Sequence, residues 1–219
     1  MRWFLKTYGN YVAFAGVILL FLGICGLVSE GWAGIAAYRK PIDLYAEDTD
    51  IHDLTKTSNL EAEIYMAFDY FAKTTETSTF YNYSNSRDVD YYFIIPAFSG
   101  DEVYFIGILV EAKDLDTFNA ISEETHAYFI GEENTYGTTT IYEQGTLKDM
   151  NDELYGYFTD WFKAANWFDD EQDIEKYVLP IYLNPDEMEY KRFAFRMAFV
   201  PAVIGAFLLI LGLTCYWHR

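Results

Sequence analysis

Two long apolar segments enclose an acidic stretch, and this pattern guides the interpretation of the whole chain. The first segment, Tyr11 to Val28, has no charged residue, and the second, Met197 to Trp217, is similar in length. A helix rises about 1.5 Å per residue, so about 20 residues cross the hydrocarbon layer of a bilayer. The sequence therefore predicts transmembrane helices at residues 11–29 and 197–217, and it makes the membrane lipid bilayer the first expected partner.

Two other interpretations of these segments are open. Either one could be the buried core helix of a soluble protein, although uncharged runs of this length favour a membrane span. The first could also be a cleaved signal peptide, because Arg2 and Lys6 precede it and Gly34-Ile35-Ala36 has a small-x-small pattern. Its apolar part is longer than the usual h-region of about 7 to 15 residues. An uncleaved anchor is therefore expected.

Basic residues flank the spans on both sides, and their simple count favours a cytoplasmic loop, but two considerations outweigh that count. Arg2 and Lys6 lie on the terminal side of the first span, whereas Arg39 and Lys40 lie on its loop side. Long loops translocate largely regardless of charge, and the first helix usually dominates the orientation. We therefore predict an integral plasma-membrane protein with both termini, residues 1–10 and 218–219, in the cytoplasm.

The region between the spans is predicted to be an extracytoplasmic domain, residues 30–184, of the α+β class with a mainly antiparallel sheet. Tyr91–Ile95 and Val103–Val110 are rich in β-branched and aromatic residues, and the Ser99-Gly100-Asp101 turn between them indicates a hairpin. Residues 60–70 alternate between apolar and polar side chains, which favours a strand over an amphipathic helix.

Other parts of the domain give less regular patterns. Val103–Val110 is apolar on both faces, so it is either a strand covered on both sides or a strand with one side against the membrane or a partner. Residues 74–87 are rich in Ser, Thr and Asn and are predicted to be a surface loop. Asp114 is expected to cap a helix, and residues 138–142 are expected to form a short strand.

The longest helical pattern of the domain covers residues 146–168, with Thr146 as the expected N-cap. A last strand is predicted at residues 177–183, where Pro180 favours an edge or a bulge because proline cannot donate a hydrogen bond to a neighbouring strand.

A second helix start follows directly. Asn184 and Pro185 favour the beginning of a helix that leads into the second span. Residues 185–196 are expected to form a helical stalk, and Pro201 is expected to kink the helix because it removes one backbone hydrogen bond.

Small residues recur in both spans at helical spacing. In lipid, such residues let helix backbones approach and favour van der Waals packing. We expect the two spans of one chain to pack against each other, with a homodimer and the absence of a specific contact as alternatives. The expected packing residues are Gly16, Gly23, Ala198, Ala202 and Ala206.

The formal net charge of −19 is carried by the region between the spans. All 34 acidic residues lie between Glu30 and Glu189, and such a surface repels phosphate backbones, so nucleic acid is not an expected partner. Both cysteines, Cys25 and Cys215, lie in the spans, so the domain has neither disulfides nor thiolate metal sites. An extracytoplasmic domain without disulfides suits a bacterial protein.

The acidic domain supplies many carboxylates that could bind a metal ion. Glu123 and His126 have the Glu-x-x-His spacing of di-iron bundles, but a second such pair is missing from the sequence. Two acidic groups could hold a hard cation, yet neither has the glycine and spacing of an EF-hand, and solvated turns are the expected alternative. These groups are Glu47, Asp48, Asp50 and Asp53 around His52, and Asp169, Asp170, Glu171 and Asp173.

Short strings of residues resemble one group of known proteins. The chain places Arg39-Lys40-Pro41-Ile42-Asp43-Leu44 after the first span and Tyr91-Tyr92-Phe93-Ile94-Ile95-Pro96 in the acidic domain. With this layout the chain resembles uncharacterised two-span membrane proteins of Gram-positive gut bacteria. The resemblance implies a bacterial source and assigns no functional residue.

No catalytic residue, cofactor or metal site is predicted, because the sequence has neither a Gly-x-Ser-x-Gly elbow nor a phosphate-binding glycine loop. The expected function is that of a non-enzymatic interaction, sensor or accessory module that binds a protein partner. Two alternatives stay open at this point: a membrane-tethered hydrolase that uses carboxylates or a hard metal ion, and a component of a transport complex.

Overall fold

The computed structural model describes residues 2–80, 83–132 and 137–217, and the chain divides into two units. One unit contains the residues up to Lys40 and those from Asp186 onward, and the other contains Pro41–Pro185. The boundary places residues 30–40 with the apolar helices. We therefore describe the helical unit and the domain of residues 41–185 separately.

The helical unit contains two helices that are long and apolar enough to cross a membrane, judged by length and composition. The N-terminal part comprises α1 (Arg2–Gly26), a π-helical turn (Leu27–Gly31) and α2 (Trp32–Ala36). The C-terminal part is α6 (Asp186–Trp217), which continues through Pro201 as one helix of 32 residues. The segments expected to form a stalk and a span thus belong to one continuous helix.

Within residues 41–80, 83–132 and 137–185, the domain contains seven strands and three helices. The strands are β1 (Ile42–Asp43), β2 (Leu60–Ile64), β3 (Tyr70–Phe80), β4 (Tyr83–Ser99), β5 (Glu102–Glu111), β6 (Ile141–Asp149) and β7 (Val178–Asn184). The helices are α3 (Leu115–Phe129), α4 (Asp152–Ala164) and α5 (Glu171–Tyr177). The α+β class is therefore as predicted.

The sheet is mixed, which corrects the expectation of a mainly antiparallel sheet. Its strand order is β1-β2-β6-β7-β5-β4-β3. The pairs β1–β2 and β5–β7 are parallel, and the other four pairs are antiparallel. The hairpin β4–β5 accounts for part of the antiparallel pattern. The connection from β5 to β7 is long and contains α3, β6, α4 and α5. A crossover of this length permits two strands to pair in parallel.

The predicted hairpin at Tyr91–Val110 is confirmed. Ser99 pairs with Glu102, so Gly100 and Asp101 form a two-residue turn. Gly100 has a φ of +57°, a conformation that glycine adopts without a steric cost. The local sequence therefore determines both the position and the register of this hairpin.

Two other predictions for the sheet are wrong in part. Residues 60–70 are not one strand, because β2 ends at Ile64 next to β6 and β3 begins at Tyr70 at the far edge of the sheet. Residues 74–80 and 83–87 are not a loop, because they belong to the ribbon formed by β3 and β4, and residues 81–82 of the predicted loop lie outside the described residues. Threonine is β-branched and favours extended backbone, but a ribbon with polar side chains lacks the apolar alternation that reveals a strand.

The helix predicted at residues 146–168 begins later. Thr146 is a fully buried residue of β6, and its hydroxyl donates a hydrogen bond of 2.6 Å to the Lys56 carbonyl. The N-cap of α4 is Asn151, whose side-chain oxygen accepts a 2.8 Å hydrogen bond from the Leu154 amide. Helical spacing extends by coincidence into the strand, so periodicity alone misplaced the start.

The strand predicted at residues 177–183 is confirmed as β7, but Pro180 does not lie at an edge. β7 lies between β6 and β5, and its pairing with β5 is irregular between Val178 and Tyr182. Pairing with β6 extends only from Ile181 onward. Pro180 therefore occupies the irregular segment, where its missing amide hydrogen costs no hydrogen bond in a regular ladder.

The core has two layers because β5 is buried on both faces. Ile106 and Ile108 face Phe118 and Ile121 of α3, and Phe105 faces the opposite side with α4. This confirms the first of the two alternatives stated for Val103–Val110. A strand that is covered on both sides has to be apolar at consecutive positions.

The two ends of the domain lie near each other. Ile42 pairs with Leu60, which pairs with Gly145 on the next strand. A methyl group added at Gly145 would lie 2.6 Å from the carbonyl oxygen of Asn184, close to the end of the domain. Because neighbouring strands are about 4.8 Å apart, the two ends are separated by about 15 Å.

The N-cap gives a first test. Replacing Asn151 with Ala should lower the free energy of unfolding by about 1 kcal/mol, because the Leu154 amide loses its acceptor. Asn151→Ser and Asn151→Asp should retain most of the stability, since both side chains can cap a helix. Urea unfolding of the detergent-solubilised chain, followed by tryptophan fluorescence, measures the difference. Equal stability of the Ala and Ser variants would contradict the assignment.

Candidate functional site

Glycines bring the backbones of α1 and α6 close together. A methyl group added at Gly16 would lie 2.6 Å from the backbone nitrogen of Leu209, and one added at Gly23 would lie 2.5 Å from that of Ala202. Methyl groups at Gly205 and Gly212 would meet backbone atoms of Leu20 and Ala13. A larger side chain at these positions would therefore force the helices apart.

The contact runs antiparallel. Moving along α1 from Gly16 to Gly23 and Gly26, the residues opposite on α6 change from Leu209 to Ala202 and Ala198. The helices therefore form a hairpin in which the start of α1 and the end of α6 lie at one end.

Four of the five expected packing residues lie at this contact. Gly16, Gly23, Ala198 and Ala202 are buried, and Ala206 is half-buried. Three glycines outside the expected set also lie at the contact. These are Gly26, Gly205 and Gly212. Gly26 could have been found from its position three residues after Gly23, which places both on one face of the helix.

The other faces of the two helices carry large apolar side chains that are exposed. Tyr11 is 72% exposed, Phe21 is 65% exposed and Phe207 is 61% exposed. In a typical water-soluble protein, contiguous apolar surface of this kind is covered. The helix pair thus has a small-residue face directed inward and a bulky apolar face directed outward.

Polar contacts close the end of the helix pair opposite the termini. The Arg192 Nε donates a 3.2 Å hydrogen bond to the Ala37 carbonyl, and the Arg196 Nε donates a 3.1 Å bond to the Tyr38 hydroxyl. The ring of Phe195 lies 5.5 Å from that of Tyr38. Residues 37–38 are thereby joined to α6.

In the domain, a shallow groove lies where β3 and β4 meet the start of α4. Its volume is about 220 Å³. It is lined by Ala72, Lys73, Thr74, Tyr92, Asn151, Glu153, Leu154 and Tyr157. Several polar groups in it are engaged with protein neighbours: Asn151 caps α4, Thr74 donates to Asp90, and the Tyr157 hydroxyl donates to Glu153 at 3.2 Å.

Burial raises the pKa of Tyr92 to about 12, so this hydroxyl stays protonated at neutral pH.

A second polar group lies at the start of β5. The Tyr104 hydroxyl donates a 2.6 Å hydrogen bond to Glu102, and Lys176 donates 3.0 Å and 2.7 Å bonds to Glu102 and the Tyr177 hydroxyl. The His52 ring contacts the Tyr104 ring edge to face, with 4.7 Å between centroids. The hydrogen bond from Tyr104, followed by the hydrogen bond and charge of Lys176, holds the pKa of Glu102 below its usual value. These contacts join β5 to α5.

The acidic groups considered for metal binding do not converge. Within residues 2–80, 83–132 and 137–217, the structure has no group of three His, Cys, Asp or Glu side chains placed to hold a metal ion. Asp50 accepts a hydrogen bond from the His52 amide, and Asp170 caps α5 through the Gln172 amide. His126 lies 3.4 Å from Asp69. The carboxylates of Asp50 and Asp170 therefore stabilise turns and a helix start.

Comparison with known proteins gives a family. The model of a domain of unknown function, DUF8577, matches residues 5–217. The chain belongs to this family. No curated protein and no solved structure matches the chain. The match agrees with the expectation of an uncharacterised family, whereas the bacterial source and the membrane location implied by the resemblance stay predictions.

The helix contact can be tested by crosslinking. Gly26→Cys and Ala198→Cys, in a Cys25→Ser and Cys215→Ser background, should form a disulfide within one chain. A Cβ added at Gly26 would lie 2.9 Å from the Ala198 Cβ, so a shift of about 1 Å between the helices would reach the separation of about 3.8 Å that is typical of a disulfide. A Gly26→Cys and Ala206→Cys pair is the control, since position 206 lies about 12 Å further along the helix. Electrophoresis without reductant measures the products. Crosslinks found only between chains would support a homodimer instead.

The hydrogen bonds of Glu102 predict its titration. Because its pKa is lowered in the folded state, their contribution to stability is present above the unfolded pKa and is lost as the pH falls through the folded pKa. Tyr104→Phe should move the NMR titration midpoint of the Glu102 carboxyl upward, since it removes the largest cause. Lys176→Met should also raise it, because it removes a second hydrogen bond and a positive charge. An unchanged midpoint in Tyr104→Phe would refute the assigned cause.

Proposed function

We propose that the chain is a two-span integral membrane protein whose helix pair anchors an acidic extracytoplasmic domain, and that this domain is a non-enzymatic interaction module. One observation carries the proposal: the helix pair directs small residues inward and bulky apolar residues outward. In water that outward face would be unstable, and in a bilayer it is solvated by lipid.

The outward face argues against a soluble core helix. Only 11% of the most apolar 18-residue window in the first helix is buried, and 22% in the second. A core helix of a soluble protein is buried over most of its surface. The exposed residues are also the largest apolar ones, as at Phe21 and Phe207.

The helix contact argues against a cleaved signal peptide. Removal of the first span would uncover Ala198, Ala202 and Gly205 on α6, whose small side chains fit the glycines of α1. If α6 were the only span, its small residues would have no glycine face of a second helix to pack against. The anchor is therefore proposed to consist of both helices.

The orientation rests on the basic residues of the N-terminus. Arg2 and Lys6 precede the first span, and the first helix usually sets the topology. Arg192 and Arg196 on the other side are engaged by the Ala37 carbonyl and the Tyr38 hydroxyl. We take the acidic domain to be extracytoplasmic and both termini to be cytoplasmic.

The proposal of a non-enzymatic module rests on how the polar groups of the domain are used. Glu102, Tyr104 and Lys176 bind one another, and Asn151 and Asp170 cap helices. A catalytic group has to reach substrate with a free lone pair or proton. Side chains that are already engaged in this way serve stability, and the domain then acts through its surface.

Protease protection tests the anchor and its orientation. Protease added to intact protoplasts should digest residues 41–185 and leave an epitope tag at the N-terminus intact, because the bilayer shields the cytoplasmic side. Lysed protoplasts are the control, in which the tag should also be lost. A protected domain with a digested tag would reverse the orientation, and extraction of the chain by alkaline carbonate would contradict membrane insertion.

A further inference from the structure

Four aromatic side chains that contact one another lie where α3 and α4 end, and exposed Ile130 follows one of them in the sequence. We call this the aromatic surface, and its members are Phe68, Phe129, Ile130, Trp161 and Trp167. The Phe68 ring centroid lies 5.7 Å from that of Phe129 and 5.0 Å from that of Trp167. Phe129 and Trp167 are 5.8 Å apart, and Trp161 and Trp167 are 6.3 Å apart. The rings are tilted or edge to face, which are arrangements that aromatic pairs prefer.

Three members of the aromatic surface are open to solvent. Ile130 is 67% exposed, Phe129 is 52% exposed and Trp167 is 36% exposed, whereas Phe68 beneath them is 2% exposed. Removing apolar surface from water is favourable, so the domain forgoes stabilisation by leaving these three side chains partly uncovered. Adjoining exposed apolar groups of this kind mark interaction surfaces more often than isolated ones.

The backbone holds Trp167 in this surface. Asn166, just after α4, has a φ of +47°, and it is the one non-glycine residue with positive φ among those the structure describes. Asparagine tolerates this left-handed conformation at the end of a helix. The Trp167 amide then donates a 3.2 Å hydrogen bond to the Phe162 carbonyl. The turn thereby directs the indole ring onto Phe68.

Carboxylates lie close in sequence to the members of the aromatic surface, and one of them, Asp69, has His126 3.4 Å away. Asp69, Glu132, Asp160 and Asp169 are exposed and each lies within two residues of a member. Lys163 is the one basic residue within that distance, and its ammonium lies 3.9 Å from Asp160. The rim is thus negative, and it attracts cationic groups over the range of a Debye length, about 8 Å at physiological salt.

The aromatic surface lies far from the end of the domain that continues into α6. Its neighbour Phe105, whose ring is 5.8 Å from Trp167, pairs with Val178 at the start of β7. β7 ends at Asn184, one residue before the end of the domain. Six residues of strand span about 20 Å. The surface therefore lies at the other end of β7 from this connection.

We propose that the aromatic surface docks a protein segment that places a large apolar side chain beside several Lys or Arg residues. The apolar side chain inserts between Phe129, Ile130 and Trp167. The cationic side chains then contact Asp69, Glu132 and Asp169 at the rim. This inference rests on the proposed function, because it names the surface and the partner chemistry of the interaction module.

The charge of the rim distinguishes this occupant from the others. A second copy of the chain would bring the same carboxylates to the contact, and like charges across an interface are unfavourable. Anionic headgroups and nucleic acid would meet the same repulsion, since the domain carries 30 acidic and seven basic residues between Pro41 and Pro185. A basic, partly apolar protein segment is complementary to both components of the surface.

Fluorescence anisotropy on the full chain in phosphatidylcholine nanodiscs tests the proposal. The probe is a short fluorescein-labelled peptide with one Leu-Phe pair between two runs of lysine, and empty nanodiscs supply the blank. Phe129→Ser should weaken its binding about tenfold or more, as loss of an interface hot spot does. Glu132→Gln should weaken binding at low salt and have less effect at high salt, because the rim charges are screened.

Matched controls separate the surface from general effects. Tyr142, which is 60% exposed on β6, lies outside the aromatic surface, so Tyr142→Ser should bind the peptide like the wild type. A peptide with Ser-Ser in place of Leu-Phe tests charge alone, and one with Glu in place of Lys should not bind. Circular dichroism of Phe129→Ser confirms that the variant is folded, since this side chain is half exposed.

Equal binding to wild type and folded Phe129→Ser would overturn the proposal, as would equal affinity of the Ser-Ser peptide. Sedimentation velocity adds a further outcome: a dimer that Phe129→Ser converts to a monomer would identify a second copy as the occupant and refute the basic segment. Failure of the peptide to bind refutes this surface alone. Failure of the anchor would appear separately, in the protease and carbonate experiments.

Discussion

The close contact of α1 and α6 is the constraint on which the helical unit depends. Gly16, Gly23 and Gly205 have no side chain to separate the backbones, so the helices meet through main-chain atoms. Once the inner face is made of glycine and alanine, the bulky apolar residues of both helices have to point outward, as Phe21 and Phe207 do. An apolar exterior and a compact interior are the arrangement that suits lipid, in which apolar contact provides little driving force and packing decides which helices associate.

In the domain, the corresponding constraint is the burial of β5 on both faces. Its alternating residues Phe105 and Ile106 require one helix layer on each side, which α3 and α4 provide. The sequence was sufficient to predict this part of the fold. The apolar run and the Gly100 turn are local signals that predicted the β4–β5 hairpin correctly, and α3 begins after Asp114 as expected, although the Asp114 side chain makes no capping hydrogen bond. The parallel pairing of β5 with β7 could not be predicted in this way, because it depends on a crossover that no local pattern describes.

The remaining errors have related physical causes. Thr146 has the side chain of a helix cap, but it is used in β6 to satisfy the Lys56 carbonyl, because tertiary contacts outweigh local propensity. The β3–β4 ribbon was missed since its Thr- and Ser-rich strands lack apolar alternation. Among the candidate sites, the small-residue face of α1 was accessible from spacing, whereas the aromatic surface was not. Phe68 and Trp167 are far apart in sequence, and only the left-handed turn at Asn166 brings their rings to 5.0 Å.

The negative charge of the domain indicates a kind of partner only where it adjoins an exposed apolar surface. Many carboxylates are spread over turns and helix starts, where Asp50 and Asp170 accept backbone hydrogen bonds, and charge of this kind accounts for solubility without a ligand. A net negative charge by itself would therefore select no partner. At the aromatic surface, carboxylates border apolar groups that the domain leaves uncovered. Apolar burial then supplies affinity, while the rim charges decide which partners approach, so that specificity arises from the two together.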